Sequence, residues 1–404
     1  MSYFDCMRQI YIPFKLVGLF PVSGLLKANN ENQSRFTWKS INAISSLFII
    51  ILHILYLSIH SYNYTFQEDI SFRHTIRLID HMTSTLAIII FIKSSFRWKT
   101  FLENINKCES LLKSLKNSKK FVKLSKRIIS IFLISHVVDQ ALHIATFVNF
   151  IHNCFTLSLS EEIKLYFITY FRKHFVHIPF NPATSMIFQF LRLQLNFVVN
   201  GMDFFITAHT LYLAMFFRNF NRNMRRDPVR FAGNKMYWAN VRMQYTRLCH
   251  LVTNIDNVIN PFVLISLLAN LLKNCKLIYV ILINRDFSDG RSYSTQCTYD
   301  YGESTLDYIQ QYYALFYSIA KTWSTLAAMA WLHKLTRIPL DALFEIGPND
   351  YNIEMQRFMD QVHNSMIGLS GLNFFVVTQS TILTFTSTII TYEIFVLQLM
   401  YIYE

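Results

Sequence analysis

Residues 374–402 read FFVVTQSTILTFTSTIITYEIFVLQLMYI, and Glu393 is the one charge in the stretch. A helix needs about 20 mostly apolar residues to cross a bilayer, so this stretch is long enough to span. Within it Thr381, Thr384, Thr388, Thr391, Phe395 and Gln398 step by three or four, which puts them on one helical face. Lipid offers no hydrogen bonds, so a hydroxyl row at membrane depth should face protein or water. Two readings stay open at this point. The threonines either bond back to their own helix or pack on a neighbour, or they line a water path. One helix cannot enclose such a path, so the second reading needs several copies around an axis.

The rest of the chain agrees with a membrane setting. Of 404 residues, 52% are hydrophobic and only 16% charged, with 37 Phe and 22 Tyr. Seven apolar stretches are candidate spans, at 41–61, 75–95, 128–152, 184–216, 256–284, 306–333 and 373–402. No long Pro/Gly/Ser linker divides them, so a single all-α membrane domain of seven transmembrane helices is expected. The N-terminal apolar stretch is interrupted by Pro13, Lys15 and Pro21 without a small-residue cleavage site. It is read as uncleaved, with the first span as the anchor.

Orientation follows from the 38 Lys and Arg. With the N-terminus inside, the cytoplasmic segments hold five in 1–39, eleven in 93–127, eight in 218–247 and three in 334–357. The outer loops hold six: Arg73, Lys164, Arg172, Lys173, Arg285 and Arg291. The positive-inside rule therefore puts the N-terminus in the cytoplasm and the C-terminus outside. That is the reverse of a G-protein-coupled receptor, the obvious seven-helix rival. The net charge of +13 lies in loops beside spans, where anionic inner-leaflet lipid balances it, so no nucleic-acid partner is expected. The six cysteines show no zinc spacing, and His136 with His143 converge on too few ligands for a metal site. Cys154 and Cys297 fall in outer loops, where an oxidising setting allows them to pair. Asn63-Tyr64-Thr65 is a glycosylation sequon on the same side.

Polar and aromatic residues recur near the outer ends of the spans. Sugars are held by aromatic faces and by polar groups matched to hydroxyls in a mostly apolar cavity. Asp307, Gln310, Gln311, Tyr313 and Tyr317 cluster on the sixth span, with Gln310, Tyr313 and Tyr317 sharing a face. Asp80 on the second span, Asp139 and His143 on the third, and Gln189 and Arg192 on the fourth reach the same depth. Ionisable groups there cost roughly 2.5–3.5 kcal/mol each on insertion scales, so they should pair or face a wet cavity. The expected pairs are Arg77 with Asp80 and Arg192 with Asp139. Structural roles compete at each position, because interfacial tyrosines also serve as membrane anchors.

Thr391-Tyr392, five residues and then Gln398 resemble the signature that closes insect gustatory receptors. Leu399 stands where that pattern has phenylalanine, which bears on the size of any outer constriction. Residues Gly368 to Phe375 (GLSGLNFF) and Thr388 to Glu393 (TIITYE) are similar to the sugar-receptor branch of that family. So are Leu19 to Gly24 and Arg35 to Lys39, so the likeness runs from end to end. It implies an insect chemoreceptor-type ion channel subunit in the plasma membrane of a sensory neuron, opened by a sugar. It further implies a homotetramer, or a heteromer with related subunits, around a central pore.

Under that resemblance 1–40 is a cytoplasmic segment, 41–333 a six-helix ligand-sensing bundle, 334–372 a cytoplasmic assembly helix and linker, and 373–404 the pore helix. Thr384, Thr388, Thr391, Ile394, Phe395, Leu397, Gln398 and Leu399 are the expected pore and gate residues. Asn349 or Asp350 is expected to cap the assembly helix, whose apolar face is Ile353, Phe358, Met359, Val362 and Met366. No cofactor is expected. A membrane transporter is the rival from another class, although no internal repeat supports it. An enzyme is disfavoured, since no nucleophile elbow, phosphate loop or His-Glu-x-x-His run is present.

Overall fold

The structure is a computed structural model that describes residues 3–24, 35–66, 72–112, 118–154, 158–175, 178–226, 234–282, 304–347 and 351–403. Among the described residues it is almost entirely helical. The long helices are α2 (Ile41–Phe66), α3 (Phe72–Phe96), α5 (Ser118–Cys154), α8 (Pro182–Arg226), α9 (Lys235–Leu282), α10 (Thr305–Phe344) and α12 (Gln379–Tyr403). Each of the seven expected spans overlaps one of them, the last only from Gln379 onward, since residues 373–378 belong to the β3–β4 hairpin and the turn after it. Among the described residues, four stretches are long and apolar enough to cross a membrane: Ile41–Ile59, Leu78–Phe96, Lys126–Asn153 and Lys235–Ile281. Short helices α1 (Tyr3–Leu16), α4 (Trp98–Ser110), α6 (Leu159–Tyr170) and α7 (Arg172–Phe175) fill segments that the sequence suggested as loops or tail, and α11 (Ile353–Asn364) lies where a short amphipathic helix was expected.

Local chemistry explains where the helices start. Asn181 Oδ1 accepts the Ala183 N–H at 2.9 Å, with Pro182 following as the first residue of α8. At α6, Glu161 Oε2 accepts both the Ser158 N–H at 3.0 Å and its hydroxyl at 2.7 Å. Those two bonds from Ser158 hold the Glu161 carboxyl below its ordinary range. Asn352, rather than Asn349 or Asp350, caps α11, its Oδ1 accepting from Glu354 and Met355 N–H at 3.1 Å each. Residues 349 and 350 lie outside the described residues.

The first helix is built into the core: Tyr3, Phe4, Met7, Ile10, Tyr11 and Phe14 of α1 are all buried there. Phe14 stacks on Phe91 at 4.9 Å and reaches α8 at Gly201, where a Cβ would meet the ring at 2.9 Å. Most polar groups that α1 brings inside are answered, the buried Gln9 Oε1 being an exception among the described residues. The Tyr3 N–H donates to Glu109 Oε2 at 3.0 Å, and Glu109 Oε1 accepts the Tyr212 hydroxyl. His209 Nδ1 lies 2.8 Å from the Phe205 carbonyl and must donate to it, so Nε2 is left to accept from Tyr3 at 2.7 Å. Docking α1 thus satisfies its buried donors as well as covering its apolar face.

The proposed boundary at 333/334 falls inside α10, which continues without a break to Phe344. Helix α11 packs back on α9 and α10, and Phe358 lies 5.4 Å from the Tyr245 ring. Its own subunit therefore covers Met355, Phe358 and Val362, while Ile353 and Met366 stay exposed. Two small antiparallel ladders complete the fold: β1 (Val22–Ser23) with β2 (Arg35–Phe36), and β3 (Ser370–Gly371) with β4 (Phe375–Val376). The β3–β4 turn places Leu372 and Asn373 in the left-handed region, at φ 48° and 61°. A leucine there costs of order 1–3 kcal/mol, so surrounding contacts must hold it.

Candidate ligand site and pore face

Helices α8, α9 and α10 form the centre of the bundle, and α5 closes it. Their facing sides carry a polar cluster. Lys321 Nζ on α10 lies 2.6 Å from Asp203 Oδ2 on α8, with both side chains nearly inaccessible. The other oxygen of Asp203 accepts from the Ser266 hydroxyl and, at 2.8 Å, from Asn270 Nδ2, both on α9. Asn200 Oδ1 accepts from Lys321 at 3.1 Å and from Lys273 at 3.4 Å, so it joins the two ammonium groups. Asn200 Nδ2 in turn lies 3.3 Å from His136 Nδ1 on α5.

At membrane depth such a network stands only if nearly every member is satisfied, because each unmet charge or dipole is expensive. Unused capacity remains at three groups in and beside the network. Lys273 forms no ion pair among the described residues, and neither the buried Asn270 Oδ1 nor the buried Tyr317 hydroxyl has a hydrogen-bond partner there. Tyr317 stacks on Tyr313 with ring centroids 6.2 Å apart, and Tyr313 donates to the Ser135 carbonyl at 3.0 Å. Asp139 lies within electrostatic reach of both Tyr317 and Lys273. Stacked rings, a free hydroxyl, an ammonium without an ion pair and a carboxylate form a constellation suited to a hydroxyl-bearing ligand.

A second aromatic group lies under α6. Arg192 stands over the Tyr170 ring, 4.2 Å from its centroid, and makes no ion pair with Asp139 among the described residues. The expected Arg192–Asp139 pair is absent because α6 supplies the guanidinium with an aromatic face instead. Arg192 Nη1 is buried without a partner. Tyr170 lies 3.5 Å from His143 Nε2, and Tyr166 donates to Gln189 Oε1 at 3.3 Å. Beside them a half-open cavity of about 320 Å³ is lined mainly by Ile144, Val148, Ile151, Ile163 and Phe167.

Other expected ligand residues are placed differently. Asp80 pairs with Lys276 of α9 at 3.2 Å; the side chain of Arg77 lies outside the described residues. Asp307 is buried and turned to its own helix end, where it accepts from the Ser304 hydroxyl at 2.7 Å. Gln310 and Gln311 are half-buried near the start of α10.

Helix α12 lies against α9 and α10 and buries Glu393, whose two oxygens have no partner among the described residues. The opposite face is open. Thr384, Thr388, Thr391, Ile394, Phe395 and Gln398 are all exposed within the subunit. Thr384 and Thr388 donate back to the carbonyls of Ser380 at 3.1 Å and Thr384 at 2.8 Å. The back-bonded alternative is thus realised for these two hydroxyls, but no neighbouring helix of the same chain covers them. The side chains of Leu397, Leu399, Asn63 and Cys154, and all of Cys297, lie outside the described residues.

Residues 2–402 match the trehalose receptor family. The chain belongs to that family. Its relatives include the Drosophila melanogaster gustatory receptor for sugar taste 64f, 23% identical over 98% of this chain and 81% of that protein. Gustatory receptor for sugar taste 64b of the same fly is 25% identical over 95% and 91%. Gustatory receptor 5a for trehalose, also from that fly, is 20% identical over 80% and 68%. The fold is similar to that of the insect olfactory receptor OR5 from Machilis hrabei, at a TM-score of 0.58 and 12% identity over 98% of both chains. The eugenol complex of that receptor gives 0.57 and 14% over the same share of both chains. This member of the trehalose receptor family is accordingly a multi-pass plasma-membrane receptor and not an enzyme.

Several residues of the receptor's polar cluster were not predicted as ligand residues. Asp203, Lys321 and Lys273 are ionisable groups inside apolar stretches, a signal that could have drawn attention to them. Tyr166 and Tyr170 were missed because α6 reads as an outer loop. The pair Ser158 and Glu161, followed by aromatic residues four apart, was the available clue.

Proposed function

We propose that this receptor is a subunit of a sugar-gated, poorly selective cation channel. It has seven spans, a cytoplasmic N-terminus and an extracellular C-terminus, and it assembles as a homotetramer or with related subunits. The sugar is held by Asp139, Tyr313, Tyr317 and Lys273, with His143, Gln189 and Arg192 under α6 controlling entry. Four copies of α12 surround the pore, lined by Thr384, Thr388, Thr391 and Gln398, with Ile394, Phe395, Leu397 and Leu399 as its apolar gate.

The observation that carries the reading is the unfilled polar capacity beside Tyr317 on α10, a helix that also packs on α12. A sugar that engages the outer part of α10 can bias the helix next to the pore. Whole-cell recording on cells expressing this chain alone tests it: sugar alone should evoke cation current within milliseconds. The buried Asp203–Lys321 pair favours one rival, a sugar transporter, since such groups mark ion and substrate pathways. Saturable sugar uptake without that current would decide for the transporter.

A further inference from the structure

The β3–β4 hairpin neither lines the pore face nor joins the polar cluster, yet it is bonded firmly to α9. The Ser370 N–H donates to Asp256 Oδ1 at 2.8 Å and its hydroxyl to Asp256 Oδ2 at 2.6 Å. One turn further along α9, the Asn260 carbonyl accepts the Leu372 N–H at 3.2 Å, and Asn260 Nδ2 reaches Asn373 Oδ1 at 3.4 Å. These bonds hold the turn that contains the left-handed Leu372. The hairpin then closes on itself, with Val377 N–H donating to the Leu369 carbonyl at 2.9 Å, and α12 begins two residues later. Orientation at the foot of α12 is therefore set by what grips Ser370.

The grip sits at a telling place on α9. Asn260 immediately precedes Pro261, and Asp256 lies about one turn before Asn260; Pro261 has no N–H and removes one bond from the helix ladder. Beyond Pro261 the same helix carries Ser266, Asn270 and Lys273 of the polar cluster. One helix thus holds the ligand-side groups on one side of Pro261 and the foot of α12 on the other, with its weakened point between them. The Asp256 carboxylate makes no ion pair among the described residues, and Ser370 supplies both oxygens with donors. Burial alone does not require two bonds from the residue that aims α12.

We propose that Asp256 is a positioning residue for the pore helix. By holding Ser370 it fixes the resting orientation of α12, and a tilt of α9 about Pro261 on ligand occupancy reaches α12 through this hairpin. The inference rests on the channel reading and extends it to the route between the two sites.

The test uses the full-length receptor in cells, with cysteine introduced singly at Thr384 and Thr388. Modification by a water-soluble thiol reagent is followed without and with sugar. Asp256→Asn and Ser370→Ala should each raise the sugar-free rate about fivefold or more, the lower end of allosteric couplings. Half-maximal sugar concentration should fall by a similar factor while single-channel conductance stays unchanged. The double variant should add nothing to either single one, because both remove the same grip. Ser370→Thr, which keeps the hydroxyl, should behave as wild type.

Rates unchanged in surface-expressed Ser370→Ala receptor would overturn the proposal. So would strictly additive effects in the double variant. Should Asp256→Asn not reach the surface, the Ser370 variants still decide. Thiol rates are read without current, so wild-type receptor that stays silent to sugar defeats the channel reading. The same rates still show separately whether Asp256 and Ser370 orient α12.

Discussion

The polar cluster between α5, α8, α9 and α10 and the hydroxyl face of α12 meet the same demand in opposite ways. In the cluster, polar groups from different helices satisfy one another: Lys321 with Asp203 and Asn200, and Asn270 with Asp203. On α12, Thr384 and Thr388 turn to their own backbone and the face is left open. The first region keeps unused capacity at Tyr317, Lys273 and Asn270 Oδ1 among the described residues. The second is exposed to whatever surrounds the subunit. On the proposed reading, that difference separates a site for a small molecule from a face for copies of the subunit and water.

The largest effect should come from breaking the cluster. Lys321→Met leaves Asp203 buried and uncompensated, which should cost about 3–5 kcal/mol. Thermal unfolding in detergent should show a large drop in midpoint, and a paired Asp203→Leu change should recover most of it. Tyr317→Phe sharpens the distinction between structure and ligand. Its hydroxyl has no partner among the described residues, so the melting point should hold. The half-maximal sugar concentration should meanwhile rise about three- to tenfold, the worth of one hydrogen bond.

On the α12 side, Glu393 is buried with neither oxygen partnered among the described residues. Glu393→Gln should therefore leave thermal stability unchanged or higher, since it removes a charge rather than a bond. A clear loss of stability would mean that a neighbouring subunit engages this carboxylate. The smallest effect concerns α11. Hydrogen bonding from Arg357, then the Arg242 contact, holds Glu354 below the ordinary carboxylate range. The folded value is depressed, so this contribution is fully present above about pH 4.3 and fades as pH falls through the folded value. Hydrogen exchange of α11 should rise in that acid window and stay level from pH 6 to 8.

How much of this was legible in the sequence depended on whether the signal was local. All seven expected stretches overlap long helices, because hydrophobic length is written in consecutive residues, although the last stretch begins in the β3–β4 hairpin. Helices α1, α4 and α6 are too short or too polar for that rule, and their burial depends on distant partners, whereas α11 was legible from its amphipathic face. The partner of an ionisable residue was the least readable feature. Asp80 met Lys276, 196 residues away, and Arg192 met Tyr170 rather than Asp139. In each case the outcome turned on which helix faced which, and no spacing within one helix encodes that. The threonine stripe was readable as a face. Its surroundings were not, because periodicity fixes a face and not what covers it.

The central claim is that the open face of α12 meets water inside an assembly of subunits. The direct measurement is a cysteine scan over Thr384, Thr388, Thr391 and Gln398 in intact cells, with a membrane-impermeant thiol reagent applied from outside with and without sugar. The account predicts modification at these positions that speeds up with sugar and blocks current. Positions that remain sealed under both conditions, in receptor shown to be at the surface, would contradict it.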